Sequence, residues 1–95
     1  MLESSVQITT TDPSRLIRRL CKHWSHKFEV TYDDRHGSIP FGSGHCELRA
    51  DEGRLTAEVR AEDAAQLEKL ETVVADHLQR MAADETFNFD WKRRV

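Results

Sequence analysis

The residues of this chain that could do chemistry gather in two stretches. Cys21-Lys22-His23-Trp24-Ser25-His26-Lys27 places one thiol and two imidazoles within seven positions, and His45-Cys46 places another of each further on. Imidazole nitrogen and thiolate sulfur are ligands for zinc, iron and copper, so metal or ligand binding is the first chemistry to weigh. On a regular helix His23 and His26, three positions apart, lie about 60° from each other and can share one ion. Cys21 and His23, two apart, lie about 160° apart and cannot. On a strand His45 and Cys46 point to opposite faces. The candidate metal or ligand residues are therefore His23, His26 and His45, the last only if Gly42 and Gly44 distort its strand. Lys22, Lys27, Cys21 and Cys46 are candidate supporting groups.

Each of these residues also has a structural reading. Cys46 shares a strand face with Leu48 and Ala50, and Cys21 flanks the Leu20 and Trp24 stripe, so both thiols are expected in the core as small apolar residues. A Cys21–Cys46 disulfide is the redox alternative. Histidines near a helix C-terminus are favoured by the helix dipole and need no metal. His77 is expected at the edge of a core, with one hydrogen bond. No Cys-x-x-Cys, Gly-x-Ser-x-Gly, His-Glu-x-x-His or phosphate-cradling glycine loop occurs. Cys21 sits mid-helix, where no N-terminal dipole would activate its thiolate.

The elements that must position these residues are marked by apolar periods. Residues 6–10 alternate as a strand. Asp12-Pro13 starts a helix that runs to about residue 27, with Leu16, Ile17, Leu20 and Trp24 as its buried stripe. Period two returns at Phe28, Val30 and Tyr32. A turn over 33–37 then uses Gly37 for positive φ. Ile39 and Phe41 mark another strand, and Gly42-Ser43-Gly44 a second turn or bulge. Cys46, Leu48 and Ala50, then Leu55, Ala57 and Val59, mark two more strands. A long helix spans about 61–83 on Leu67, Leu70, Val74, Leu78 and Met81. Phe87, Phe89 and Trp91 predict a last strand. The order β-α-β-β-β-β-α-β implies an α+β two-layer sandwich, an antiparallel sheet with both helices on one face. Its other face, with Glu29, Thr31, Glu47, Arg49, Arg54, Thr56, Glu58 and Arg60, reads as a solvated surface with cross-strand ion pairs.

Ninety-five residues make one domain, 1–95, too small for a deep cavity beside its core. A net charge of −3 argues against nucleic acid as a partner. No run approaches the roughly 20 apolar residues of a membrane-spanning helix. Met1-Leu2-Glu3-Ser4-Ser5 has neither the basic nor the apolar region of a signal peptide, so a cytoplasmic location with reduced thiols is expected.

Leu20-Cys21-Lys22-His23-Trp24-Ser25-His26-Lys27 resembles the Leu-Cys-basic-His-aromatic-x-His-Lys signature of a small bacterial family, the domain of unknown function 2218. Phe41-Gly42 to Cys46, Ala61-Glu62-Asp63, the run from Leu70 to Leu78 and the closing Phe87 to Trp91 are similar as well. The resemblance covers nearly the whole chain. It maps the family motif onto Cys21, His23, His26, Lys27, Cys46 and His77. The sequence departs from the pattern in Trp24, where phenylalanine is expected, and in a more glycine-rich segment before His45. The family has no established activity. Related domains occur alone or attached to siderophore-interacting reductases, so the resemblance implies a link to iron or siderophore metabolism. Two readings follow. In one, the chain is an accessory domain that binds iron, another transition metal, a metal chelate or a partner reductase through the end of the first helix. In the other, it is a protein-interaction or homodimerisation module with structural histidines. A small enzyme or redox switch built on Cys21 and Cys46 is a third, minor reading.

Overall fold

The computed structural model describes residues 2–94, and its elements follow the apolar periods of the sequence. They are β1 (Leu2–Thr9), α1 (Pro13–Trp24), β2 (Thr31–Tyr32), β3 (His36–Pro40), β4 (Gly44–Asp51), β5 (Arg54–Ala61), α2 (Ala64–Met81) and β6 (Lys92–Arg94). The strands pair antiparallel in the order β2-β3-β4-β5-β1-β6. Val6, Ile8, Ile39, Cys46, Leu48, Leu55, Ala57 and Val59 face inward from the sheet. Leu16, Ile17, Leu20 and Trp24 of α1, with Leu67, Leu70, Val74 and Leu78 of α2, close over them. Both helices thus cover one sheet face, and the chain is the expected α+β sandwich. Each fully buried Leu, Ile or Val contributes about 1.5–3 kcal/mol against its exposed state.

Side-chain caps set where the helices begin. Asp12 Oδ1 accepts from the Arg15 amide at 3.1 Å, and Asp63 Oδ1 accepts from the Gln66 amide at 2.8 Å. The first helix stops at Trp24, before the expected residue 27. Ser25 donates its amide to Cys21 O and its hydroxyl to Lys22 O, while the Lys27 and Phe28 amides both turn back onto Trp24 O. The second helix is also shorter than expected, because residue 61 belongs to β5.

Three expectations are corrected. The strand expected over 28–32 pairs only at Thr31 and Tyr32. Continuing its register would set Glu29 against Pro40, which has no amide hydrogen to give. The turn before β3 is tighter than expected. Asp33 Oδ1 accepts from the Arg35 and His36 amides at 2.8 and 2.9 Å, and the Asp33 amide donates to His36 O. Those two amides also lower the Asp33 pKa. Gly37 therefore lies inside β3, and the positive-φ glycines are Gly42 and Gly53. Gly37 serves close approach instead: a Cβ there would meet Cys21 Sγ at 2.7 Å and Ile17 Cγ2 at 3.3 Å.

The third correction is the tail. Its alternation is real, with Phe87, Phe89 and Trp91 packed on the core, but among the described residues the ladder forms only at Lys92–Arg94 against Glu3–Ser5. Side chains hold the residues before it. Gln79 Nε2 donates to Glu85 O at 2.6 Å, and Gln79 Oε1 accepts from the Phe87 amide at 3.1 Å. The Glu85 carboxylate accepts from Thr10 Oγ1 and the Thr11 amide. Arg93 then clamps the end of the tail on Glu71, with Nη2 and Nε 2.9 and 3.1 Å from the two carboxylate oxygens.

Candidate functional site

The C-terminal end of α1 meets the C-terminal end of α2. Arg19, Lys22, His23 and His26 from the first side, with Arg80 and Met81 from the second, line one shallow surface depression. Among the described residues no carboxylate lines it. The cause lies in α1: between Asp12 and Glu29 the chain carries five Lys and Arg residues and no acidic one. Arg15, Arg19 and Lys22 recur at helical spacing, so much of the unburied side of α1 is cationic. Arg19 Nη1 donates to Met81 O at 2.7 Å, which ties the two helix ends together. Among the described residues no carboxylate lies within 4.0 Å of the cationic groups of Arg19, Lys22 or Arg80.

His23 and His26 are both exposed and both face this depression. They do so without the helical relation expected of them, because His26 lies beyond the end of α1. His77 comes into the same corner from α2. Its ring centroid lies 5.1 Å from that of His23 and 4.8 Å from that of Trp24. Phe41 stands edge-on to Trp24 at 4.8 Å and to Phe28 at 5.2 Å, so aromatic rings floor this end of the molecule. His77 Nδ1 donates to Val73 O at 2.7 Å. A carbonyl only accepts, so this contact puts a proton on Nδ1.

The structure places His45 elsewhere, on the sheet face away from the helices. Its Nε2 lies 3.0 Å from Glu47 Oε1 and 2.9 Å from Ser38 Oγ. His36 Nε2 lies 2.7 Å from Glu47 Oε2, off the hydrogen-bond axis. Ser38, His45 and Glu47 are not a catalytic relay, since both contacts of the imidazole fall on one nitrogen. Glu47 stands directly opposite Glu58 across β4 and β5. Arg60, within 3.9–4.0 Å of Glu3, Glu47 and Glu58, and Arg94, 3.4 Å from Glu58, offset that repulsion. This face neutralises itself; the α1–α2 corner does not.

Cys21 and Cys46 are buried free thiols. Burial pushes the Cys21 pKa up to about 11 and raises that of Cys46, where the neighbouring Cys21 adds to the effect. A nucleophilic cysteine needs the opposite shift. Lys27 is exposed just beyond α1. Among the described residues, no group of three or more His, Cys, Asp or Glu side chains is placed to hold a metal ion.

Arg19 and Arg80 are not among the candidates that the sequence offers, and residue spacing alone reads His77 as a core-edge histidine. The acid-free run of α1 was the available signal for the first. Contacts between helices distant in sequence bring in the other two. No helix among the described residues is long and apolar enough to cross a membrane.

Comparison with known proteins agrees with this architecture. The chain is similar over 97% of its length to the NMR structure of PA4090 from Pseudomonas aeruginosa, at 40% identity and a TM-score of 0.84, covering 96% of that protein. No match is found among curated proteins. Residues 5–92 match the sequence profile of an uncharacterized protein family conserved in bacteria. The chain therefore belongs to the domain of unknown function 2218 family.

Proposed function

We propose that this chain is a non-enzymatic binding domain whose α1–α2 corner takes an anionic metal chelate. The observation that carries the reading is charge. Arg19, Lys22 and Arg80 converge with His23 and His26 on one depression without a carboxylate, in a chain of net charge −3. Like charges held together at the surface repel one another, and an anion relieves that repulsion. The imidazoles add hydrogen-bond donors, and Met81 adds an apolar contact.

A ferric siderophore is the chelate that the family resemblance implies. A siderophore-interacting reductase is the partner that would follow from it. The interaction-module reading has less support. Among the described residues Tyr32 is the one large apolar side chain that stands mostly exposed.

The test is calorimetric titration with an anionic ferric catecholate chelate and with a neutral ferric hydroxamate chelate. The anionic chelate is expected to bind more tightly, and more weakly as salt rises. An Arg19→Gln, Lys22→Gln, Arg80→Gln variant is expected to lose about tenfold, from roughly 0.5 kcal/mol per exposed charge. Equal binding of the two chelates, or no loss in the variant, contradicts the reading.

A further inference from the structure

We propose that the chelate taken at this corner carries a pendant carboxylate, free of the metal, and that Arg15 and Arg19 bind it in a second cleft beside the depression. The inference rests on the anion reading above and names the class of ligand. It starts from a cleft of about 440 Å³ between the start of α1 and the segment that follows α2. Arg19, Arg80 and Met81 line both this cleft and the depression, so the two adjoin. The cleft adds Arg15, about one turn before Arg19 on α1. A ligand seated in the depression therefore has a second compartment beside it.

A second observation concerns pairing. Among the described residues no carboxylate lies within 4.0 Å of the Arg15 guanidinium, as for Arg19 and Arg80. Yet Asp12, Asp84 and Glu85 line the same cleft. Two of these carboxylates are already engaged. Asp12 Oδ1 accepts from the Arg15 amide, and Glu85 accepts from Thr10 Oγ1 and the Thr11 amide. Arg19 is held in place, since its Nη1 donates to Met81 O, and its other N–H groups are left for a ligand.

The mixture of signs decides what kind of group would come. Three arginines and three acidic residues line the cleft, so its net charge does not draw anions in. What it offers is short-range contact with guanidinium. A carboxylate matches that planar fork with two parallel hydrogen bonds. It also carries a single charge, whereas a phosphate dianion would meet about twice the repulsion from Asp12, Asp84 and Glu85. Lys22, His23 and His26 line the depression and not the cleft, so the metal-bearing end of the ligand stays with them.

The test uses the ferric complexes of two hexadentate tris-catecholate chelators, identical except that one bears a pendant carboxylate and the other a carboxamide. Wild type, Arg15→Gln, Arg54→Gln and the Arg19→Gln, Lys22→Gln, Arg80→Gln variant are titrated with each. Arg15 is exposed, and its amide reaches Asp12 whatever the side chain, so Arg15→Gln should retain the fold. Arg54→Gln removes the same charge from an exposed position on β5. The carboxylate complex is expected to bind the wild type about tenfold more tightly than the carboxamide complex. Arg15→Gln should abolish most of that preference and leave carboxamide binding within about twofold of wild type, while Arg54→Gln should keep the preference. No preference in the wild type, a preference that survives in Arg15→Gln, or one that falls equally in Arg54→Gln overturns the carboxylate site. The anion reading fails separately, if the triple variant binds the carboxamide complex as the wild type does. Wild type that binds neither complex overturns both.

Discussion

Docking of α1 on β3 depends on one missing methyl group. A Cβ at Gly37 would lie 2.7 Å from Cys21 Sγ, 3.3 Å from Ile17 Cγ2 and 3.6 Å from Leu48 Cδ1. The first of these is roughly 1 Å inside ordinary contact distance. Its neighbours cannot easily yield, because Cys21, Ile17 and Leu48 are all fully buried. Overpacking of this kind costs about 1–3 kcal/mol. The lower chain entropy of alanine in the unfolded state returns about 0.5 kcal/mol, since Gly37 is not at positive φ. Gly37→Ala should therefore destabilise the domain by about 1–2 kcal/mol, or about 5–15 °C in Tm for a chain of this size. Cys21→Ala alone should cost about 1 kcal/mol through lost packing. In the double variant the new methyl group occupies the space the sulfur leaves, so the two losses should not add. A coupling of about 1 kcal/mol or more is expected from urea unfolding of all four proteins. A neutral Gly37→Ala, or strictly additive losses, refutes the close-approach argument.

Further outcomes follow from other contacts. Arg93→Ala should lower the urea midpoint at pH 7, modestly because the Arg93 side chain is 45% exposed while that of Glu71 is only 9% exposed. Hydrogen bonds from Arg93 hold the Glu71 pKa below its ordinary value, so this stabilisation is present above the unfolded carboxyl pKa of about 4.3. It is lost as pH falls through the lower folded value, and the gap between wild type and variant in urea midpoint should close as pH falls below the unfolded carboxyl value. Gln79→Ala removes the side chain that binds Glu85 O and the Phe87 amide, and should cost about 1–2 kcal/mol with faster hydrogen exchange at residue 87. Both thiols should resist an aromatic disulfide reagent at pH 8 in the native state and react at the rate of unfolding; immediate reaction of either would contradict its burial.

Much of this molecule was legible in its residues because its signals are local. Asp12-Pro13 marked the start of α1, and the alternation from Cys46 to Val59 marked β4, β5 and the face each side chain takes. The errors fell where a partner decides. Phe28 and Val30 alternate as a strand should, yet the strand facing them reaches Pro40 and cannot extend the ladder. Phe87, Phe89 and Trp91 alternate too, but Gln79 holds backbone groups of this segment, and Glu85 ties its start to Thr10 and Thr11. Gly37 was read for its torsional freedom, whereas what matters is how near Cys21 comes. The candidate site was legible in half. His23 and His26 stood out by type, and they do share one surface. His77 and Arg80 lie more than fifty residues further along the chain, and only the crossing of α1 and α2 brings them in. His45 reads as a ligand by type, but the period of β4 commits it to the opposite face, with Glu47 and Ser38.

The central claim is that the α1–α2 corner holds an anionic chelate. An amide-resolved NMR titration of the isotope-labelled protein with a gallium(III) catecholate chelate, a diamagnetic analogue of the ferric form, tests it most directly. The account predicts saturable shifts at residues 19–27 and 79–82, reduced by salt, with the outer-face amides of His36, His45 and Glu47 unmoved. Shifts centred on that outer face, or none at millimolar chelate, would contradict it.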